Sequence, residues 1–157
     1  MIGVALAEFE LIKAEIIELY DAKKMRASGA FAESLKVDSV GNDSGFTINL
    51  SGLDYANELE KGSEPKEVSI AKISKWILDK GVFAQALQKI KLSSLAFLIA
   101  RKISREGWKR QRFGGVELIS SIITPQRVQD IIDKIGINYT IEIQSEIIEL
   151  FNNLEMA

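Results

Sequence analysis

The chain contains no cysteine. A disulfide framework, a thiol nucleophile and every thiolate-ligated metal site are therefore excluded. It contains no histidine either. The commonest general base, the commonest metal ligand and the serine–histidine–aspartate triad are all missing with it. Two prolines among 157 residues argue against a proline-rich linker or a disordered tail. The longest stretch without a charge is the 10 residues from Ser44 to Leu53. A membrane-spanning helix needs ~20. The start, Met1-Ile2-Gly3-Val4, runs into acids at Glu8 and Glu10. It has neither the basic start nor the apolar stretch of a secretory leader, so the cytoplasm is the default expectation.

What is present is ordinary in bulk: 46% hydrophobic, 27% charged, mean hydropathy +0.06. One domain over 1–157 can bury a core without metal or disulfide staples. The net charge of −2 conceals an uneven spread. Residues 101–112 carry Arg101, Lys102, Arg105, Lys109, Arg110 and Arg112 against Glu106 alone, a net +5. The rest of the chain is net −7, of which −5 falls in residues 113–157. Basic residues complement a helix C-terminus. They also form patches for phosphates or for an acidic partner.

The hydrophobic pattern predicts α+β. Over residues 2–24, Val4, Phe9, Ile12, Ile16, Leu19 and Tyr20 recur at helical spacing, and Leu6, Leu11 and Ile17 widen the face. A helix this wide is either fully buried or packs on both its own domain and a partner. Residues 34–50 read as an antiparallel hairpin around Gly41-Asn42-Asp43-Ser44-Gly45, with Leu35, Val37, Phe46, Ile48 and Leu50 on one face. Asp54 is placed to cap a short helix over residues 55–61, stopped by Gly62. Helices follow over 69–80, with Ile70, Ile73, Trp76 and Ile77 inward, and over 93–106, capped by Ser93 with Leu95, Leu98, Ile99 and Ile103 inward. Thr124-Pro125 is a strong helix start. Residues 137–143 are ambiguous. Ile137, Tyr139, Ile141 and Ile143 alternate as in a strand, yet Ile135, Tyr139, Ile143, Ile147 and Leu150 share one helical stripe.

Reactive constellations are thin. Ser69 and Lys72 have the spacing of a serine nucleophile and its lysine, but the motifs that support that chemistry are missing. Glu58 and Glu60 pair two carboxylates of a common surface type. Asp130 and Asp133, three apart on a helix, read either as ligands for a hard cation or as a complement to the dipole of a helix begun at Pro125. Arg112-Phe113-Gly114-Gly115 lacks the spacing of a phosphate-binding loop. The residues read as a non-enzyme.

Several segments stand in a fixed order. Ala27-Ser28-Gly29-Ala30-Phe31-Ala32-Glu33-Ser34-Leu35 leads into the first strand. After the hairpin come Tyr55-Ala56-Asn57-Glu58-Leu59-Glu60-Lys61-Gly62 and Ile73-Ser74-Lys75-Trp76-Ile77-Leu78-Asp79-Lys80-Gly81. Leu95 to Ile103 then runs to Glu106-Gly107, and Ser145 to Phe151 closes the series. This ordered set, over about residues 27–151, resembles the neck, or tail-completion, proteins of tailed bacteriophages. Where that family often has arginine after the glycine and then a proline-rich stretch, this chain has Ser63 and a single Pro65.

The resemblance implies a virion structural protein, assembled in the bacterial cytoplasm, without cofactor or catalysis. It implies a homo-oligomeric ring at the head–tail connector, between portal or connector and tail-tube proteins, around the DNA channel. It favours helix across 125–151. The expected subunit is a core segment, 27–112, flanked by the N-terminal helix 2–24 and a helical segment 124–152, with the hairpin and helices 69–80 and 93–106 forming the core. The N-terminal helix, with Tyr55, Glu58, Glu60 and Lys61, is a candidate for subunit contacts. Trp108 is a candidate interface anchor or a cap on the core. Arg101, Lys102, Arg105, Lys109, Arg110 and Arg112 would meet an acidic neighbour or channel DNA. The competing expectation is a small nucleic-acid-binding module using the same basic segment.

Overall fold

Buried positions spaced three and four apart, Ala5, Glu8, Ile12, Ile16 and Tyr20, define the inner side of α1 (Ile2–Ala22). The computed structural model describes residues 2–42, 45–81, 90–108 and 117–155, with side chains as far as residue 149. α1 ends where Lys24 takes a left-handed φ of 51° and the Met25 N–H returns to the Tyr20 carbonyl at 3.0 Å. Gly29, at φ 87°, precedes the short α2 (Ala30–Ser34), whose Phe31 is fully buried.

β1 (Lys36–Asn42) and β2 (Gly45–Ser51) form the two-stranded antiparallel sheet. The register opposes Val37 to Leu50, Ser39 to Ile48 and Gly41 to Phe46, so Val37, Phe46, Ile48 and Leu50 share one half-buried face. Both strands pack against α1. A two-stranded hairpin is marginal alone, and α1 gives its apolar side cover.

α3 (Ala56–Lys61) follows. Tyr55 stands at its N-cap and no side chain caps it, contrary to the role expected for Asp54. α4 (Ile70–Asp79) starts at Ser69, whose hydroxyl accepts the Lys72 N–H. α5 (Leu92–Glu106) starts at Lys91 without a side-chain cap, ahead of the expected Ser93. α6 (Pro125–Glu155) starts where the Thr124 Oγ1 accepts the Arg127 N–H at 3.2 Å.

Residues 137–143 are therefore helical. Polar side chains here find partners within the helix: Asn138 and Thr140, and Ser145 just beyond, each donate to the carbonyl four residues back at 2.9 Å. Ile131 and Lys134 dock the first turns on α1, and propagation then adds one backbone bond per residue.

The core departs from the expected one. It gathers Ile12, Ile16, Tyr20, Met25, Phe31, Leu35, Leu118 and Ile131, with Leu50, Leu59 and Ile122 against them. α1 is thus its spine, and the α4–α5 pair lies outside it. That pair buries Ile77, Ala96 and Ala100 instead. The inner side of α5 is turned toward its alanines, where a backbone can approach closely, so Leu98 points out at 51% exposure. Ile70 and Trp76 are likewise exposed rather than inward. Among the described residues, no helix is long and apolar enough to cross a membrane.

Candidate functional site

Between the α1–α3 side of the molecule and the α4–α5 pair lies a cleft of about 590 Å³. Tyr20 and Met25 line it from the end of α1 and the turn beyond. Tyr55, Glu58 and Leu59 reach it from α3 and its lead-in, and Ile73, Trp76, Ile99 and Ile103 reach it from α4 and α5. Trp108 and Val68 complete the apolar lining.

One close backbone approach holds the cleft together. Ser63 and Trp108 exchange N–H···O=C bonds, both at 2.8 Å. Gly107 makes this possible: its φ is 72°, and a Cβ there would stand 2.2 Å from the Ser63 carbonyl oxygen. Lys80, at the end of α4, adds a second tie by donating to the Arg26 carbonyl at 2.8 Å and to that of Lys24.

Tyr20 and Tyr55 line one wall, and the fully buried Phe31 packs against both. The Tyr20 and Phe31 ring centroids lie 4.9 Å apart, and those of Phe31 and Tyr55 lie 6.3 Å apart, both tilted. Burial pushes the Tyr20 and Tyr55 hydroxyls above the ordinary tyrosine range. Lys66, Lys72 and Lys102 add cationic side chains to the lining, with Glu58 as its carboxylate, ion-paired to Lys66. An apolar cleft with three lysines suits an amphipathic surface that carries acids.

The expected contact residues divide. Tyr55 and Glu58 face the cleft, and Lys61 is exposed at the end of α3. Glu60 turns inward on its own chain. Its carboxylate accepts the Ile119 N–H at 2.7 Å, the Ser120 N–H at 3.1 Å and the Ser120 hydroxyl. Its own carbonyl accepts the Glu117 N–H at 2.8 Å. Burial alone would raise the Glu60 carboxyl, but these hydrogen bonds outweigh it and hold it below the ordinary range. Glu60 thus pins the 117–120 turn that delivers Leu118 to the core. No spacing in the sequence signals a pairing across some 60 residues.

Trp108 is half-buried at one end of the cleft. Lys102 lines the cleft; Arg101 and Arg105 are exposed elsewhere on α5. Lys109, Arg110, Arg112 and the Gly114-Gly115 pair lie outside the described residues. The Ser69 hydroxyl accepts the Lys72 backbone N–H as the cap of α4. Asp130 and Asp133 accept from Gln126 and Gln129, each four residues back, at 2.9 Å. Among the described residues, no group of three or more acids is placed to hold a metal ion.

The second feature is the outer half of α6. Ile131 is buried and Ile135 half-buried on α1, but residues 139–149 are exposed throughout. Val128, Ile132, Tyr139, Ile143 and Ile147 follow one another along a single side, all exposed. Ile137, Ile141 and Ile148 lie on the opposite side, also exposed, Ile137 by 60%. The outer half of α6 thus displays apolar residues on two sides.

No protein-family model, no curated protein and no solved structure matches this chain.

Proposed function

We propose that the chain is a structural subunit of a tailed-phage virion, a neck or tail-completion protein. It forms a homo-oligomeric ring between the portal or connector and the tail tube, around the DNA channel. It carries out no catalysis and needs no cofactor. The ordered segments from Ala27 to Phe151 support this reading by their resemblance to that family.

One structural observation carries it. The exposed side of α6 from Val128 to Ile147 extends ~29 Å at 1.5 Å per residue. A monomer has no use for so long an uncovered apolar stripe, whereas an assembly covers it. The apolar cleft lies elsewhere, on α3, α4 and α5. Two unlike apolar patches on one chain suit head-to-tail contacts, which close into rings when the rotation closes. The exposed Arg101 and Arg105 then face an acidic neighbour or, with sequence-blind contacts, channel phosphates.

Deleting the coding sequence from the phage or prophage that carries it tests this reading. Electron micrographs of the lysate should show DNA-filled heads and unattached tails, with joining restored by the protein supplied in trans. Complete particles in normal yield would overturn it. So would tight duplex-DNA binding by the purified monomer, abolished by Arg101→Glu with Arg105→Glu, which belongs to a nucleic-acid-binding module.

A further inference from the structure

We infer that the outer half of α6 of one copy seats in the cleft of the next copy, with Tyr139, Ile143 and Ile147 entering between the aromatic and aliphatic walls. This rests on the ring reading and names the contact that builds the ring.

The chain itself supplies the complementarity. Beyond Lys134, residues 135–155 contain no basic residue and carry Glu142, Glu146, Glu149 and Glu155. The cleft presents Lys66, Lys72 and Lys102; Lys66 is paired to Glu58, Lys102 lies 3.9 Å from the exposed Glu106, and Lys72 is the cation offered to an incoming acid. Glu146 lies beside the Tyr139–Ile143–Ile147 stripe on the helix surface, three residues from Ile143 and seven from Tyr139. Seating the stripe therefore brings Glu146 to the lysines. Pairing two such helices with each other sets acid against acid, which is unfavourable.

The occupant must come from another copy. Within its own subunit α6 packs on α1, held by Ile131 and by the Lys134–Glu8 bond, and its outer residues stay exposed. Tyr139 supplies the aromatic anchor, entering a site that displays Trp76 and Trp108. Helix and cleft are different surfaces, so each copy gives one and receives one, and the contact propagates.

The absence of cysteine makes a clean test. Full-length Ile147→Cys and Val68→Cys proteins are mixed and oxidised at high concentration, and disulfides are read by non-reducing gel and mass spectrometry. The expected product is the 147–68 heterodisulfide, well above a Val40→Cys control on the outer face of the hairpin. A dominant 147–147 product, or no heterodisulfide above that control, overturns the inference. Charge reversal gives an independent measure. Glu146→Lys and Lys72→Glu should each weaken self-association about tenfold by light scattering across a dilution series, and mixing the two variants should restore it. A mixture as weak as either variant alone overturns the proposed contact, as does a wild-type protein that stays monomeric at every concentration. Trp emission should move to the red on dilution as Trp76 and Trp108 are uncovered. If these tests fail while deletion still leaves heads and tails unjoined, the neck reading stands and only the contact is wrong.

Discussion

Lys134 donates to Glu8 at 2.7 Å across 126 residues of sequence, tying the last helix to the first. Glu8 is only 7% exposed, and its second oxygen makes no hydrogen bond among the described residues, lying 3.8 Å from Arg127. Arg127 reaches across to Glu15 at 3.0 Å. The α1–α6 seam is thus an apolar contact at Ile131 with an ionic clasp beside it.

The clasp gives an asymmetric prediction. Lys134→Met leaves the buried Glu8 carboxylate without its near partner, and the expected cost is about 1–3 kcal/mol. Adding Glu8→Leu removes the stranded charge, and most of that loss should return. Urea unfolding of both single variants and the double variant checks this through the coupling energy. Strict additivity would show that the two side chains do not act together.

Glu60 sets a pH dependence. Because the folded protein holds its carboxyl low, the contribution is complete above the ordinary carboxylate range and is lost as pH falls through the lowered folded value. Asp21, held low by hydrogen bonds from Arg26, acts in the same direction at the surface. Glu60→Gln should lower stability at neutral pH and flatten the loss between pH 7 and about pH 3, where ordinary glutamates have titrated. Thermal melts across that range measure it. A variant with the same acid slope as wild type would show that the turn at 117–120 does not depend on the charge.

Two glycines should respond oppositely to alanine. At Gly107 the φ of 72° and the 2.2 Å approach to Ser63 leave no room for a Cβ. The backbone strain alone costs about 1–3 kcal/mol, and relief of the clash pulls Ser63 from Trp108. Gly136, within α6, has nothing within 4 Å of a Cβ. Gly136→Ala should stabilise by about 0.5–1 kcal/mol and preserve helical circular dichroism. A loss of helix at Gly136→Ala would mean that the segment prefers a strand.

The position of the core is checked by truncation. Ile16→Ala opens a cavity in a fully buried site and should cost about 2–5 kcal/mol. Leu98→Ala removes a half-exposed side chain and should stay within about 0.5 kcal/mol. Equal losses at the two sites would place α5 in the core after all.

Local chemistry in the sequence determined much of the fold. The alternation of residues 35–50 about a dense turn specifies a hairpin and its inner face, because strand side chains alternate by geometry. Thr124-Pro125, Ser69, Gly62, Gly81 and Gly107 mark helix ends, because capping hydroxyls and left-handed glycines act within a few residues. The charge asymmetry around residues 101–112 is likewise a property of the sequence. Tertiary structure decided what depends on distant partners. Residues 137–143 carry both periodicities, and docking of Ile131 and Lys134 on α1 selects the helix. Glu8 and Glu60 look like surface acids until Lys134 and the 117–120 turn meet them. The cleft exists only where α3, α4, α5 and the end of α1 converge, and the outer half of α6 stays uncovered because its own subunit packs only the first turns. Periodicity tells which side chains seek cover, and packing alone decides which of them find it within one chain.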